Sequence, residues 1–355
     1  MKKASTALVA ALALVPPVAL ADTIIGSWNI KHLGWNNDKA MAEVAHVAQH
    51  ADFLAIQELM DPAALAELER AVEAASGESW SSMASDALGR STYRESYGFL
   101  WRDSEIEYDR GAVVFLDSQD IFAREPYSAQ FIELDSGQQF VAATVHVTYG
   151  DGISDRLPEI EALADYWGWL EEVYPGTPRL LMGDFNLSPD HPGWAALRKL
   201  GASPAITNGA TTLGTTNGTW SNLYDNIWHS DRLNITDSGI IRFTDLLPGD
   251  HVKARDAVSD HAPVWIALGD ADMELMTLDG SDYEAASEAA NDATYCIDLN
   301  EASAEQLAEL HNVGPARAKQ IIEMRPWGSV DELTRVSGLG AGSVKMIRNN
   351  GLVCP

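Results

Sequence analysis

Two scarcities bound this chain: only 2 cysteines in 355 residues, and only 24 lysines and arginines against 52 acidic residues. The cysteines, Cys296 and Cys354, allow one disulfide at most. A net charge of -28 excludes long-range attraction as a source of affinity for a polyanion, because phosphate binding by counterion release needs basic side chains. That leaves a hydrolase working where salt or divalent ions screen the repulsion, or an enzyme whose substrate is not nucleic acid. Beyond residue 20 there is also no apolar run of the ~20 residues that span a bilayer, so no membrane partner is read.

At the N-terminus, Lys2 and Lys3 precede an apolar stretch from Ala7 to Leu20, broken by Pro16-Pro17 and closed by Ala19-Leu20-Ala21. This pattern reads as an export signal over residues 1–21, too short and too proline-broken for a membrane anchor. Export to an extracellular or periplasmic space makes a Cys296–Cys354 disulfide meaningful. It would close a loop of roughly 60 residues, worth about 4 kcal/mol by chain entropy. Residues 269–294 carry acids and no lysine or arginine, and read as a solvated acidic linker. Before it, residues 22–268 alternate strand and helix patterns. Helices are expected at Met41 to His50, Pro62 to Ala75, Leu157 to Glu172 and Trp194 to Leu200. Strands are expected around 112–116, 140–147, 179–183, 225–228 and 263–268. Such a pattern suggests an α/β (α+β) fold, a two-layered β-sandwich core flanked by helices.

Five short segments carry the chemistry: Ser27-Trp28-Asn29-Ile30, Ile56-Gln57-Glu58, Thr144-Val145-His146, Gly183-Asp184-Phe185-Asn186 and Ser259-Asp260-His261. Four of them follow or end an apolar, β-branched run, which puts their polar groups at strand ends on one rim of a sheet. Cleaving a phosphodiester needs an aligned water, stabilised phosphoryl charge and a proton for the leaving alkoxide. Glu58, assisted by Asn29, suits a hard divalent ion, Mg²⁺ or Mn²⁺. Asp184 would bind a second ion or orient the water, Asn186 would donate to the scissile phosphate, and Asp260 would bind metal or support the site. His146 and His261 are the proton-transfer candidates, while the remaining histidines read as bland.

The order Trp-Asn-Ile, Gln-Glu, His, Gly-Asp-Phe-Asn, Tyr-Asp-Asn-Ile and Ser-Asp-His resembles the endonuclease/exonuclease/phosphatase superfamily. Residues 84–102 narrow the resemblance to its deoxyribonuclease I family. The resemblance implies that Asp225 orients His261 and Glu95 orients His146, with His261 as general base and His146 as general acid, an order left open between the two. It also implies that Arg110 contacts phosphate and that Arg90 and Tyr93, in the Leu88-to-Glu95 loop, enter the minor groove of double-stranded DNA. Met60 stands where the family has a basic residue, and the Thr211-to-Thr219 loop lacks the acid associated with structural Ca²⁺. Sequence preference and any Ca²⁺ requirement stay open.

Residues 295–355 read as a small all-α domain. Ile297-Asp298-Leu299-Asn300-Glu301-Ala302-Ser303 resembles the start of competence-type helix-hairpin-helix domains, and two hairpins follow, around Gly314 and around Gly338 and Gly340. Such hairpins offer backbone N–H groups to phosphates without reading sequence. Asn312 stands where glycine is usual in the first. Arg317, Lys319, Lys345 and Arg348 lie where they can flank a phosphate. The combined expectation is a secreted, monomeric, metal-dependent endodeoxyribonuclease with a C-terminal DNA tether, cutting with little sequence specificity to leave 5′-phosphate ends. A phospholipid phosphodiesterase and a non-catalytic DNA-uptake or adhesion protein are the alternatives.

Overall fold

The computed structural model describes residues 22–35, 39–216, 219–278, 297–308, 310–349 and 353–354; the expected export signal and Cys296 lie outside them. Strands β1 (Thr23–Leu33), β2 (Phe53–Leu59), β3 (Trp80–Ala84) and β4 (Ser96–Arg102) form one sheet with β11 (Ile235–Ile240) and β12 (Val264–Leu268), in the order β11-β12-β1-β2-β4-β3. The second sheet contains β5 (Ile106–Val114), β6 (Tyr127–Glu133), β7 (Gln139–His146), β8 (Arg179–Asp184), β9 (Ser203–Pro204) and β10 (Asp225–His229), in the order β5-β6-β7-β8-β10-β9.

Alternation along the strands explains the layering. Odd and even residues of a strand point to opposite faces, and here both faces are apolar. Phe53 and Ala55 enter the core between the sheets with Ile25, Phe131, Phe140 and Met182. Their neighbours Leu54 and Ile56 point outward to α1 (Met41–Ala48) and α2 (Pro62–Ser76). In the second sheet Val141, Ala143 and Val145 pack outward on α3 (Ile153–Val173) and, with Leu197, on α4 (Ala195–Lys199). Asp61 caps α2 by accepting from the Ala63 N–H at 2.9 Å. The expected sandwich flanked by helices is the observed fold.

Several elements differ from expectation. β5 runs over Ile106–Val114 instead of 112–116, because it is an edge strand whose exposed Glu107, Tyr108, Asp109 and Arg110 show no alternation. Helix α3 starts a turn before Leu157: Asp155 accepts from the Gly152 N–H at 3.2 Å, and Pro158 sits near the start of the helix. The first ten residues of the expected linker are not uniformly solvated. Leu278 is buried against the first sheet's helical layer, and its N–H donates to the Leu246 carbonyl at 2.7 Å.

Two histidines clamp this docked segment. On α1 and the turn after it, His46 Nε2 donates to the Met276 carbonyl at 2.8 Å, and His50 Nε2 accepts from the Met276 N–H at 3.0 Å. Burial, aided by His46, lowers the His50 pKa below 6.5, so the neutral ring is the one the fold selects. The stability it contributes is complete above pH 6.5 and declines as pH falls below that, where the unfolded ring takes a proton more readily. Amide exchange at Met276, corrected for its intrinsic rate, is therefore expected to accelerate below about pH 6.5. Unchanged protection down to pH 5 would mean that His50 does not hold the segment.

The C-terminal region contains α6 (Ala304–Leu307), α7 (Pro315–Glu323) and α8 (Ala341–Asn349) around a core that includes Leu307, Ile321, Trp327, Leu333 and Val344; α5 (His251–Ala257) belongs to the larger region. Its two ends meet where Ile297 pairs with Val353. Asn312 adopts the left-handed conformation, φ 60°, that the hairpin needs. It also ties the hairpins together, donating to Ser343 Oγ at 3.1 Å and accepting from Arg317 at 2.8 Å. Gly338, φ 84°, lies against the Arg317 guanidinium, where a side chain would collide.

Candidate active site

Topology brings the polar strand ends together. β1 and β2 are parallel, as are β7 and β8, so Asn29, Glu58, His146 and Asp184 reach one rim from four strand ends. β10 runs antiparallel to β8 and pairs Asp225 with Asp184. β12 runs antiparallel to β1, which brings His261 to the same rim just before β12 begins.

At the centre, both imidazoles point Nε2 at one carboxylate oxygen. Asp184 Oδ2 lies 3.5 Å from His146 Nε2 and 3.6 Å from His261 Nε2. Behind each ring stands its own carboxylate: Glu95 Oε1 at 2.8 Å from His146 Nδ1, and Asp225 Oδ2 at 2.7 Å from His261 Nδ1. These partners fix which nitrogen faces the site. Burial alone would lower the pKa of both rings, but the adjacent carboxylates outweigh it: Glu95 raises His146, and Asp225 with Asp184 raises His261 well above the ordinary value. Burial likewise works to raise Glu95, yet His146 and Arg124 leave it below the usual range. Asp225 is raised, chiefly by burial and also by Asp184. The expected pairings of His146 with Glu95 and of His261 with Asp225 thus have the matching geometry.

The candidate metal-side residues are held by backbone irregularity. The β1–β2 register shifts between Asn29 and Leu33, and Lys31, His32 and Glu58 all have positive φ, at 38°, 57° and 58°. Such non-glycine conformations persist only where the surroundings impose them, and they cluster at functional sites. Asn29 Nδ2 donates to Glu58 Oε1 at 2.9 Å and to Asp184 Oδ2 at 3.2 Å, while its Oδ1 accepts from the Lys31 N–H. Asn29 therefore turns its nitrogen to the carboxylates and orders them. Glu58 and Asp184, two hard oxygen donors bridged by one amide, suit Mg²⁺ or Mn²⁺. Asp225 and His261 also lie within reach of Asp184; Asp225 Oδ2 is spent on His261 Nδ1, while His261 Nε2 faces Asp184. Asp260 is engaged by Arg255 at 2.8 Å.

Asn186, φ 50°, donates to the Val147 carbonyl at 2.8 Å, and its N–H to Asp184 Oδ1 at 2.9 Å. Its backbone carbonyl accepts from the buried Arg156, which reaches across from α3. Tyr93 joins the site, its hydroxyl donating to Glu95 Oε2 at 3.0 Å. Arg90, from the same loop, instead pairs outward with Asp120 at 3.0 Å.

Arg110 is not brought to the site. It pairs with Gln130, which pairs with Val141, five residues back from His146 (146 minus 141), roughly 16 Å along β7. An arginine that does reach the histidine pair is Arg124, ahead of β6: its Nε lies 3.3 Å from Glu95 Oε1 and its Nη2 donates to the His146 carbonyl at 2.8 Å. The only sequence signal for it is Arg124-Glu125-Pro126 before an apolar strand. His32, read as bland, lies 3.2 Å from Glu58 Oε2 through Nε2 and donates its backbone N–H to the same oxygen at 3.0 Å. Lys39 is also drawn in, lowered to about 8 by burial and by Lys31.

The C-terminal cations are partly committed within their own region. Arg348 pairs with Asp331, and Lys319 lies 3.8 Å from Glu323. Lys345 is exposed, and Gly314 and Gly340 precede α7 and α8 with no neighbouring atom to block an approaching group.

Comparison with known proteins agrees with this geometry. The endonuclease/exonuclease/phosphatase family matches residues 26–261, and a helix-hairpin-helix motif matches residues 293–350. A deoxyribonuclease of Thioalkalivibrio sp. (strain K90mix) is 46% identical over 354 residues, covering 97% of this chain and 95% of that protein. Human deoxyribonuclease-1 is 26% identical over 267 residues, covering 69% and 91%. An endonuclease/exonuclease/phosphatase family protein of known structure from Bacteroides thetaiotaomicron shares the fold, with a TM-score of 0.55 at 15% identity over 69% of this chain and 97% of its own. With the family match spanning most of the chain and one relative matching nearly its full length, this protein belongs to the endonuclease/exonuclease/phosphatase family.

Proposed function

We propose that this protein is a secreted, divalent-metal-dependent endodeoxyribonuclease that cuts DNA with little sequence specificity and leaves 5′-phosphate ends. The observation that carries this reading is the convergence of two carboxylate-backed histidines on Asp184, beside Glu58. The full-length similarity to a protein named deoxyribonuclease supports DNA as the substrate. Export rests on the pattern of residues 1–21, and a Cys296–Cys354 staple on the meeting of Ile297 and Val353.

In this reading Glu58 and Asp184 hold the ion, whose contribution is Lewis-acid stabilisation of the phosphoryl oxygens. His261 Nε2 takes a proton from the attacking water while Asp225 stabilises the resulting imidazolium. His146 Nε2 gives a proton to the leaving 3′-oxygen, so the break leaves a 3′-hydroxyl and a 5′-phosphate. Arg124 keeps Glu95 ionised and fixed against His146. The remaining N–H of the Asn186 amide is available to a phosphoryl oxygen.

A plasmid-nicking assay in Mg²⁺, Mn²⁺, Ca²⁺ and EDTA tests the reading; absence of cutting in every ion would overturn it. The helix-hairpin-helix region adds affinity without chemistry, as a tether raises local concentration. A chain ended after Leu278, which keeps the docked segment, is expected to retain kcat and to show a KM raised about 10-fold or more. Loss of kcat in that folded truncation would refute the tether. Ending the chain at residue 270 would confuse the result by removing the residues held by His46 and His50.

A further inference from the structure

An aromatic trio adjoins the site, outside the residues assigned so far to proton transfer and metal binding. Trp35 is 52% exposed and meets the His32 ring edge-on, with centroids 4.7 Å apart at 87°. It also meets Tyr93 at 5.8 Å and 67°, and Tyr93 meets His32 at 6.0 Å and 70°. The trio is tied to both halves of the site, through His32 to Glu58 and through Tyr93 to Glu95. Two cations beside it are engaged by carboxylates: Lys31 by Asp256 and Arg90 by Asp120.

We propose that Trp35, walled by His32 and Tyr93, is a stacking platform for one unpaired nucleobase next to the scissile phosphate, and that it makes unpaired DNA the preferred substrate. This deepens the nuclease reading and rests on it. The physical ground is that an intact duplex offers only base edges in its grooves, its base faces being covered by neighbours. A half-exposed indole can stack its face on a base only where that base is freed at a single strand, gap or end. Stacking also suits a chain of net charge -28, because it draws on no phosphate neutralisation. One such contact is worth roughly 5- to 150-fold in affinity.

The test compares full-length wild type, Trp35→Ala and Trp35→Phe on a single-stranded oligonucleotide and on the matching duplex. Trp35→Ala is expected to raise KM on the single strand about 10-fold or more, with kcat on it and KM on the duplex within about twofold of wild type. Trp35→Phe, which keeps a ring face, is expected to restore most of the loss. An equal effect on both substrates, no effect, or a fall in kcat alone would overturn the platform, the last by making Trp35 a support for His32 and Glu58. If wild type cuts neither substrate, the nuclease reading fails. Anisotropy of the labelled single strand then decides the platform: weaker binding by Trp35→Ala supports it, and equal binding overturns it.

Discussion

His261→Ala is expected to fold and to lose about 10³-fold or more in turnover on plasmid DNA. General acid–base catalysis by one positioned side chain contributes typically 10² to 10⁴, and His261 has two further duties that alanine cannot perform. It occupies the space between Asp225 and Asp184, and the imidazolium it becomes on taking the proton is offset by two carboxylates in a buried rim. Without it Asp225, already raised by burial, keeps its proton to higher pH. The variant folds with that proton in place, and its stability then falls as pH rises through the folded pKa of Asp225. Turnover measured in saturating Mg²⁺, beside a thermal melt at two pH values, separates these effects. Residual turnover within tenfold of wild type in a folded variant would remove His261 from the proton-transfer role.

The second large effect is structural and lies at the neighbour of Asp184, the carboxylate proposed to hold the ion. Gly183 has φ 147°, and a Cβ there would fall inside the contact radius of the Val145 carbonyl oxygen. Val145 and Gly183 are register partners in the parallel β7–β8 pair, one step before His146 and Asp184. Gly183→Ala must therefore push apart the two strands that set the distance between His146 and Asp184. Strain of this kind with a backbone clash places the cost near 3 kcal/mol or more, at the upper end for a single substitution. We expect a melting temperature lower by several degrees and turnover lost disproportionately, because 1 Å of misplacement is costly at a reacting centre. A variant with wild-type stability and turnover would show that β7 and β8 slide without penalty.

Much of the site was legible because four of its polar groups end apolar runs. Asn29, Glu58, His146 and Asp184 follow β-branched stretches whose pattern is strong, and their order matches a known superfamily. Arg124, His32 and Arg156 were not legible, for three different reasons. Arg124 sits in a loop with no periodicity. His32 gains its position from a register shift, which has no signature in composition. Arg156 belongs to a helix whose start was obscured by Pro158. Arg110 shows the converse failure: its local sequence is plausible, yet the strand register carries it away from His146.

By itself, the sequence determined the two-faced apolar strands, the helix-hairpin-helix segment, and the residue types available for hydrolysis, since these depend on local pattern. Tertiary structure alone decided that both Nε2 atoms face one oxygen of Asp184, that Asn29 presents its nitrogen, that Met276 is clamped by two histidines, and that Trp35 meets His32 and Tyr93, which reach Glu58 and Glu95. Those relations arise from strand register and from backbone forced into positive φ. Both are set by packing between residues far apart in the chain, where no local pattern can record them.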